Sequence, residues 1–356
     1  MRSIIFLQGG TAMQRRMLIT GGAGFIGCHV VRHFAEKGYE IVVLDDLSRH
    51  GSAANLDHLK EHYPLTHHQV DVRQTERVEA LFRNERRFEV IVHLAAQVAV
   101  TTSVVNPRED FEVNALGTFN LLECFRKYCP EALFLFASTN KVYGGLTDLE
   151  VIEANNRYRF AGLDGISEDR LLDFHSPYGC SKGAADQYVI DYARIYDLHT
   201  VSFRQSCIYG QRQFGVEDQG WVAWFVIAGV LGVPITVYGD GKQVRDVLYV
   251  EDLVQLYDLA IAHKEKMHGK AYNVGGGPGN TLSLLELLAH LGSEGLQINY
   301  DQEDWRPGDQ KIFVSDNTKV SNELNWAPKV APDEGVGKLI DWVRAHQALL
   351  KQVLGK

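Results

Sequence analysis

Residues 17–27 read MLITGGAGFIG. The apolar MLIT runs directly into a turn carrying Gly21, Gly22, Gly24 and Gly27, and that turn opens a segment, from about Phe25 to Lys37, with helical spacing of its apolar residues. Strand, glycine turn and helix in this order predict a dinucleotide-binding unit. Gly21 makes the tight turn, Gly24 lets the backbone approach a pyrophosphate, and Gly27 lets the helix pack closely. The helix N-terminus then offers free N–H groups and a positive dipole end to the phosphates. The next strand, EIVVLD (40–45), ends on Asp45, 18 residues beyond Gly27, where a carboxylate accepts both hydrogen bonds from an adenosine ribose. The same carboxylate repels a 2′-phosphate, so NAD is expected over NADP. Arg49 either softens that exclusion, stacks on adenine, or is a solvated loop charge.

Outward from this unit the alternation continues. THHQVDV (66–72), a charged helix over Thr75 to Asn84, VIVHLAA (90–96), a helix from about Asn106 to Cys129 and LFLFAS (133–138) follow in turn. Short, near-continuous hydrophobic strands separated by helices predict a parallel sheet covered on both faces. The expected fold is therefore α/β: a doubly wound parallel (Rossmann) sheet, with a second, smaller α/β domain for substrate. After Gly144 a polar stretch of some 30 residues is long for a plain connection and reads as a lid or binding loop. A helix from about Tyr178 to Tyr196 and the strand HTVSFRQS (199–206) complete the first domain, expected over 17–207 with 245–268 returning to it. Further helices are expected at 219–231, 251–263, 282–291 and 334–350, within a domain over 208–350. Residues 1–16 read as a loose extension or a misplaced start.

The 356 residues suit about two domains. With 45 Asp and Glu against 36 Lys and Arg, the formal charge is −9, which disfavours a general grip on nucleic acid or an anionic membrane. Five scattered cysteines show no CxxC pair or zinc spacing, so a reducing, cytoplasmic setting and no metal are expected. The run WVAWFVIAGVLGVPITVY (221–238) is broken by Gly and Pro short of the roughly 20 apolar residues of a spanning helix, and reads as a core helix followed by a strand. His29 and His33 sit at i, i+4 without a third ligand in view, so a structural role is expected for them.

Tyr178 and Lys182, in PYGCSK, share one helical face at i, i+4. A phenol titrates near pH 10, so a base acting near neutrality must be shifted by about 4 kcal/mol. A cationic lysine and an oxidised nicotinamide are expected to supply that shift. Thr139, at the end of the strand ASTNKVYG (137–144), is placed to offer its hydroxyl to the same substrate oxygen.

TGGAGFIG, Asp45, Asp71-Val72, HLAAQ (93–97), Asn114 with Gly117-Thr118, STNKVYG, YGCSK, RDVLYVEDL (245–253) and RPGDQ (306–310) together resemble the extended short-chain dehydrogenase/reductase family of NAD-dependent epimerases and dehydratases. The resemblance runs from about residue 17 to 350. It implies that NAD is held by Gly21, Gly24, Phe25, Ile26, Gly27, Asp45, Ser48, Arg49, Asp71, Val72, Leu94, Ala95, Ala96, Gln97, Asn114, Tyr178 and Lys182. It further implies catalysis by Thr139, Tyr178 and Lys182, and a nucleotide-sugar substrate held by Thr139, Asn140, Lys141, Gln205, Ser206, Arg212, Arg245, Arg306 and Asp309. Within the family the stretches DFHSPYGCSKGAADQY (173–188) and FRQSCIYGQRQF (203–214) are most similar to epimerases that invert carbon 2 of a CDP-activated deoxysugar. Gln205 to Cys207 depart from that pattern at a strand end expected to face the sugar. Dehydratases of the family carry an Asp-Glu pair where Asn140 and Lys141 stand here, so oxidation and re-reduction without water elimination is implied. Epimerisation at carbon 4, reduction of a related sugar, and a non-catalytic sensor are the competing readings. A homodimer or homotetramer, joined through the helices near 106–129 and 180–196, is implied by the resemblance alone.

Overall fold

A computed structural model describes residues 15–85, 87–306 and 308–355. Seven strands form one parallel sheet: β1 (Arg16–Thr20), β2 (Glu40–Leu44), β3 (Leu65–His68), β4 (Val90–His93), β5 (Leu133–Thr139), β6 (Thr200–Gln205) and β7 (Lys270–Val274). Their spatial order is β7-β6-β5-β4-β1-β2-β3. Met17 pairs with Ile41 on one side and Val90 on the other, so the glycine turn leaves the sheet where the strand order reverses. Ligands of doubly wound folds bind at that crevice.

Side chains of β1 alternate between two cores, as the period of a strand requires. Met17 and Ile19 pack with Val30, Val31, Leu253 and Tyr257, whereas Leu18 packs with Leu121, Phe125 and Val189. Both faces are thus covered by helices, which is why the strands read as unbroken apolar runs.

The expected helix over 106–129 is three consecutive pieces, and a further helix, Val100–Val105, precedes them. Pro107–Phe111 begins with proline at its first turn and is capped by Asn106, whose side chain accepts from Glu109 N at 3.3 Å. A π-helical turn, Glu112–Leu116, then leads into Gly117–Tyr128. The extra residue of such a turn re-aims the side chains on it, and Asn114 lies there, fully buried.

The smaller α/β region joins Cys207–Tyr209, Val244–Tyr249, Thr281–Ser283 and Ile312–Phe313 in one sheet, and pairs Ile235–Tyr238 with Tyr300–Glu303. Trp221–Leu231 is apolar on every side because it is enclosed, chiefly by the Pro332–Ala345 helix, Leu287 and Leu291. It is the core helix expected of that run, and no helix among the described residues is long and apolar enough to cross a membrane. The return to the large sheet runs through the helix Val250–Ala262, packed on Phe25–Glu36, and ends in strand β7. The expected helix at 334–350 is two, Pro332–Ala345 and Gln347–Leu354.

The stretch after Gly144 is not a structureless lid. It folds into a hairpin, Val151–Ala154 with Arg157–Phe160, that buries Tyr158 and Phe160 against Val244, Ile312 and Phe313. Tyr158 N donates to Lys242 O at 3.0 Å and Ser283 Oγ to Asn156 O at 2.7 Å, which fastens the hairpin to the smaller region. Of the expected N-terminal extension, residues 1–14 lie outside the described residues, and the first strand begins at Arg16.

Candidate active site

The strand-turn-helix unit builds a cavity of about 420 Å³ at the reversal of strand order. Gly21, Gly24, Phe25, Ile26, Gly27, Asp45, Ser48, Arg49, Asp71, Val72, Leu94, Ala95, Ala96 and Gln97 all line it. The glycines are needed for space. Gly21 has φ +68, and a Cβ there would lie 2.7 Å from Ala95 N, while one on Gly27 would lie 2.2 Å from Gly21 O. The Phe25–Glu36 helix has no side-chain cap, so its first N–H groups remain available to an anion. Asp45 is fixed at the tip of β2 by Ala23 N, at 3.0 Å, and Leu47 N, at 2.9 Å. These residues fit a dinucleotide with an unphosphorylated ribose. Arg73 grips Asp71 through Nε and its terminal nitrogen, which draws that carboxyl below its usual range against the effect of burial.

Thr139, Tyr178 and Lys182 come together where β5 meets the Ser176–Tyr196 helix. Tyr178 and Lys182 are buried on one face of that helix, and Thr139 ends β5 beside the phenol. Lys182 Nζ donates to Ala137 O at 2.6 Å and lies 4.2 Å from the Phe136 ring centroid. The protein's own side chains do not supply the expected shift of the phenol. Burial pushes the Tyr178 phenol up to about 12, against the lowering effect of Thr139. Burial also lowers the Lys182 ammonium to about 7, against the raising effects of Asp186 and Asp110. The lysine does not by itself depress the tyrosine, because desolvation disfavours the charged form of each.

Beneath these residues lies a buried network that motif reading missed. Asp110 accepts from Ser181 Oγ, from Gln97 Nε2 at 2.8 Å and from Asn114 Nδ2 at 3.1 Å. Asn114 also accepts from Gln97 N at 3.0 Å and reaches Ser181 Oγ at 3.1 Å. It does not line the dinucleotide cavity; it ties the Gln97 backbone of that wall to the Tyr178 helix. The available signal was Asp110 standing four residues before Asn114, with Ser181 inside YGCSK. Asp186 accepts from Ser202 Oγ and pairs with Arg204 at 2.8 Å, both fully enclosed.

A second cavity, of about 240 Å³, adjoins the first, since Val98 and Gln219 line both. Lys141, Arg245, Arg306 and Asp309 line it, together with Trp221 and Tyr238. Arg245 meets Asp309 at 2.8 Å, and Arg306 meets Asp218 at 3.1 Å while lying 3.7 Å over the Tyr238 ring. Thr139, Tyr178 and Lys182 are in the lining of neither cavity, and four other residues expected at the substrate are also placed elsewhere. Arg212 lines the dinucleotide cavity, because its loop folds back over Asn55, whose Nδ2 donates to Arg212 O at 3.3 Å. Gln205 donates to Tyr257 at 2.6 Å and Ser206 to the buried Asp246, so both serve internal packing. Asn140 is buried with its amide oxygen accepting from Thr139 at 3.3 Å. His29 and His33 diverge, the first to Gln211 O at 2.8 Å and the second toward Asp258. His58, Glu61 and His62 bring ligand atoms within 4.8 Å of one another on a different helix, outside the lining of both cavities.

A family model described as GDP-mannose 4,6 dehydratase matches residues 18–339. The CDP-paratose 2-epimerase of Salmonella typhi is 44% identical over 336 residues, 92% of this chain and 98% of that protein. Among solved structures, the chain is similar to the UDP-glucose 4-epimerase of Thermus thermophilus in complex with NAD, with TM-score 0.78, 34% identity and coverage of 92% of this chain and 99% of the other. It is also similar to the UDP-glucose 4-epimerase of Thermotoga maritima with UDP-glucose, with TM-score 0.80, 31% identity and coverage of 93% and 99%.

Proposed function

Because the chain belongs to the GDP-mannose 4,6 dehydratase family of NAD-dependent epimerases and dehydratases, we propose that it inverts carbon 2 of a CDP-activated deoxysugar through a 2-keto intermediate. That it is an enzyme epimerising nucleotide-activated sugars with NAD follows from 44% identity across nearly its whole length. The observation that carries the finer reading is the turn after β5. Thr139 ends β5 beside the Tyr178 phenol, and Asn140 and Lys141 follow where a water-eliminating enzyme needs two carboxyl groups.

In this reading Tyr178 removes the proton from the carbon-2 hydroxyl and later returns it, while Thr139 holds the same oxygen. Bound in the larger cavity, NAD supplies a reversible two-electron acceptor and a positive charge that favours the phenolate. Lys182, held by Ala137 O, fixes the start of the Tyr178 helix against the end of β5. Arg245 and Arg306 anchor the diphosphate while the keto sugar turns its other face to the first cavity, and Asp309 fixes Arg245. Asp110, Asn114 and Ser181 keep the Tyr178 helix in register with Gln97.

A second copy of the chain is the expected partner. Val105, Phe111, Phe119, Tyr188 and Ile195 expose apolar surface along the helices at 100–128 and 176–196. An unpartnered stripe of this kind on two adjacent helices suits a helix-to-helix interface. The unpaired cysteines suit a reducing compartment, and we place the enzyme in the cytoplasm.

The test is Tyr178→Phe on CDP-sugars deuterated at carbon 2, followed by NMR. Turnover is expected to fall by roughly 10²–10⁴-fold with bound NAD retained. Inversion at carbon 4 by the wild type, or undiminished turnover by the variant, would sink the reading.

A further inference from the structure

Lys141 is the second residue of the 3-10 turn Asn140–Tyr143, which starts where β5 ends. Its backbone N–H donates to Thr139 Oγ1 at 3.3 Å. On its other side the turn rests on the start of the Tyr178 helix, where a Cβ on Gly179 would lie 3.2 Å from Lys141 O. The backbone of Lys141 is therefore fixed relative to both Thr139 and Tyr178. Its side chain enters the second cavity, where Nζ donates to Gln310 Oε1 at 3.2 Å.

Gln310 is fully buried, and its amide orientation is set by Nε2 donating to Gly144 O. Its backbone N–H donates to Asp309 Oδ1 at 3.1 Å, the atom that also accepts from Arg245. Lys141 and Arg245 thus stand at the two ends of one hydrogen-bonded chain. An ammonium has three donors, and among the described residues one is used. Among the described residues no carboxylate lies within salt-bridge range of Lys141, because Asp309 is turned to Arg245. The cavity wall carries Lys141, Arg245 and Arg306 against Glu217, Asp218 and Asp309; Arg245 is paired with Asp309 and Arg306 with Asp218, so Lys141 is the cation left to balance an incoming anionic group.

We propose that Lys141, with Arg245, binds the sugar-side phosphate of the diphosphate, and so sets carbon 2, the neighbour of the phosphate-bearing carbon 1, against Thr139 and Tyr178. The assignment rests on the epimerase reading and adds to it the contact that selects the carbon. Burial first, and Arg245 second, lower the Lys141 ammonium to about 8, while Asp309 and Cys207 act in the raising direction. A phosphate beside it would raise it again, so binding near pH 8 takes up a fraction of a proton.

Calorimetry of CDP binding to the NAD holoenzyme tests this, at pH 8 in buffers of differing ionisation enthalpy. Lys141→Met is expected to weaken CDP by about 10–100-fold, the size of a hydrogen bond to a charged group, and to abolish proton uptake. Lys141→Arg is expected to restore most of the affinity without uptake, since a guanidinium stays protonated. Cytidine, lacking phosphate, is expected to bind all three proteins alike. Unchanged CDP affinity in Lys141→Met with lost turnover would overturn the assignment and place the ammonium on the sugar. A Met variant that fails to fold leaves the decision to the Arg variant, in which persistent proton uptake contradicts the proposal. Wild-type protein that ignores CDP yet binds UDP or dTDP refutes the base assignment of the function, a separate failure, and the three proteins are then compared with that nucleotide.

Discussion

Asp186→Asn probes the support behind the reactive helix. Asp186 and Arg204 are both buried, the pair closes at 2.8 Å, and Arg204 also donates to Tyr143 Oη at 3.0 Å. Removing one member of such a pair leaves an uncompensated charge in the interior, which costs about 3–5 kcal/mol. With a urea slope of about 3 kcal/mol/M, the unfolding midpoint would fall by roughly 1 M or more. Asp186 is also the larger of the two charges that hold up the Lys182 ammonium against burial, so its loss moves that titration below about 7. At pH 7 less Lys182 is charged and turnover falls in addition to stability. The assay is urea unfolding of wild type, Asp186→Asn and the double variant Asp186→Asn/Arg204→Met, with epimerase rates across pH 6–8. The double variant is expected to regain more than half of the lost stability, because it removes the orphaned guanidinium instead of stranding it. A loss below about 1 kcal/mol in the single variant, the value of a surface pair, would refute the reasoning.

Gly27→Ala places a methyl 2.2 Å from Gly21 O, a backbone atom that cannot step aside without opening the turn. Protein purified with this change should lose its bound NAD by native mass spectrometry and about 1–3 kcal/mol of stability; full NAD occupancy would contradict the packing role given to Gly27. His29 is buried, with Nε2 bonded to Gln211 O at 2.8 Å and Nδ1 without a partner among the described residues. Burial lowers it to about 4, below its ordinary 6.5, so the folded state resists protonation. Stability is then fully present above pH 6.5 and is lost as pH falls from 6.5 toward 4, by about 3 kcal/mol. His29→Gln should flatten that part of the stability–pH curve, and an unchanged slope in melts between pH 4 and 6.5 would rule the residue out as its source.

The parts of the molecule legible from the chain are those set by local rules. β1, the glycine turn and its helix follow from backbone space and apolar period, and Asp45 follows from its place at the end of the next strand. The pair Tyr178 and Lys182 lies within one helical turn, so its shared face needed no tertiary knowledge. Three boundaries moved for local reasons that the pattern hides: the 106–129 helix contains a π-turn, the polar stretch after 144 contains a hairpin, and the last long helix is two.

What the tertiary structure alone decided are contacts between distant positions and the electric environment they create. Ser181 meets Asp110 across 71 positions, and Lys141 meets Gln310 across 169. No period or spacing encodes such pairs. Arg212 looked like a substrate ligand by motif order and faces the dinucleotide cavity because its loop turns back over Asn55. The phenol of Tyr178 was expected to be lowered by Lys182 and an oxidised nicotinamide together; the protein's own groups raise it, because burial acts on tyrosine and lysine at once. Sequence placed the glycine turn, Asp45 and the Tyr178–Lys182 pair on their elements, since backbone geometry and side-chain type are local properties. Their charge states and their partners belong to the folded interior, where desolvation and long-range closure are set by the whole chain.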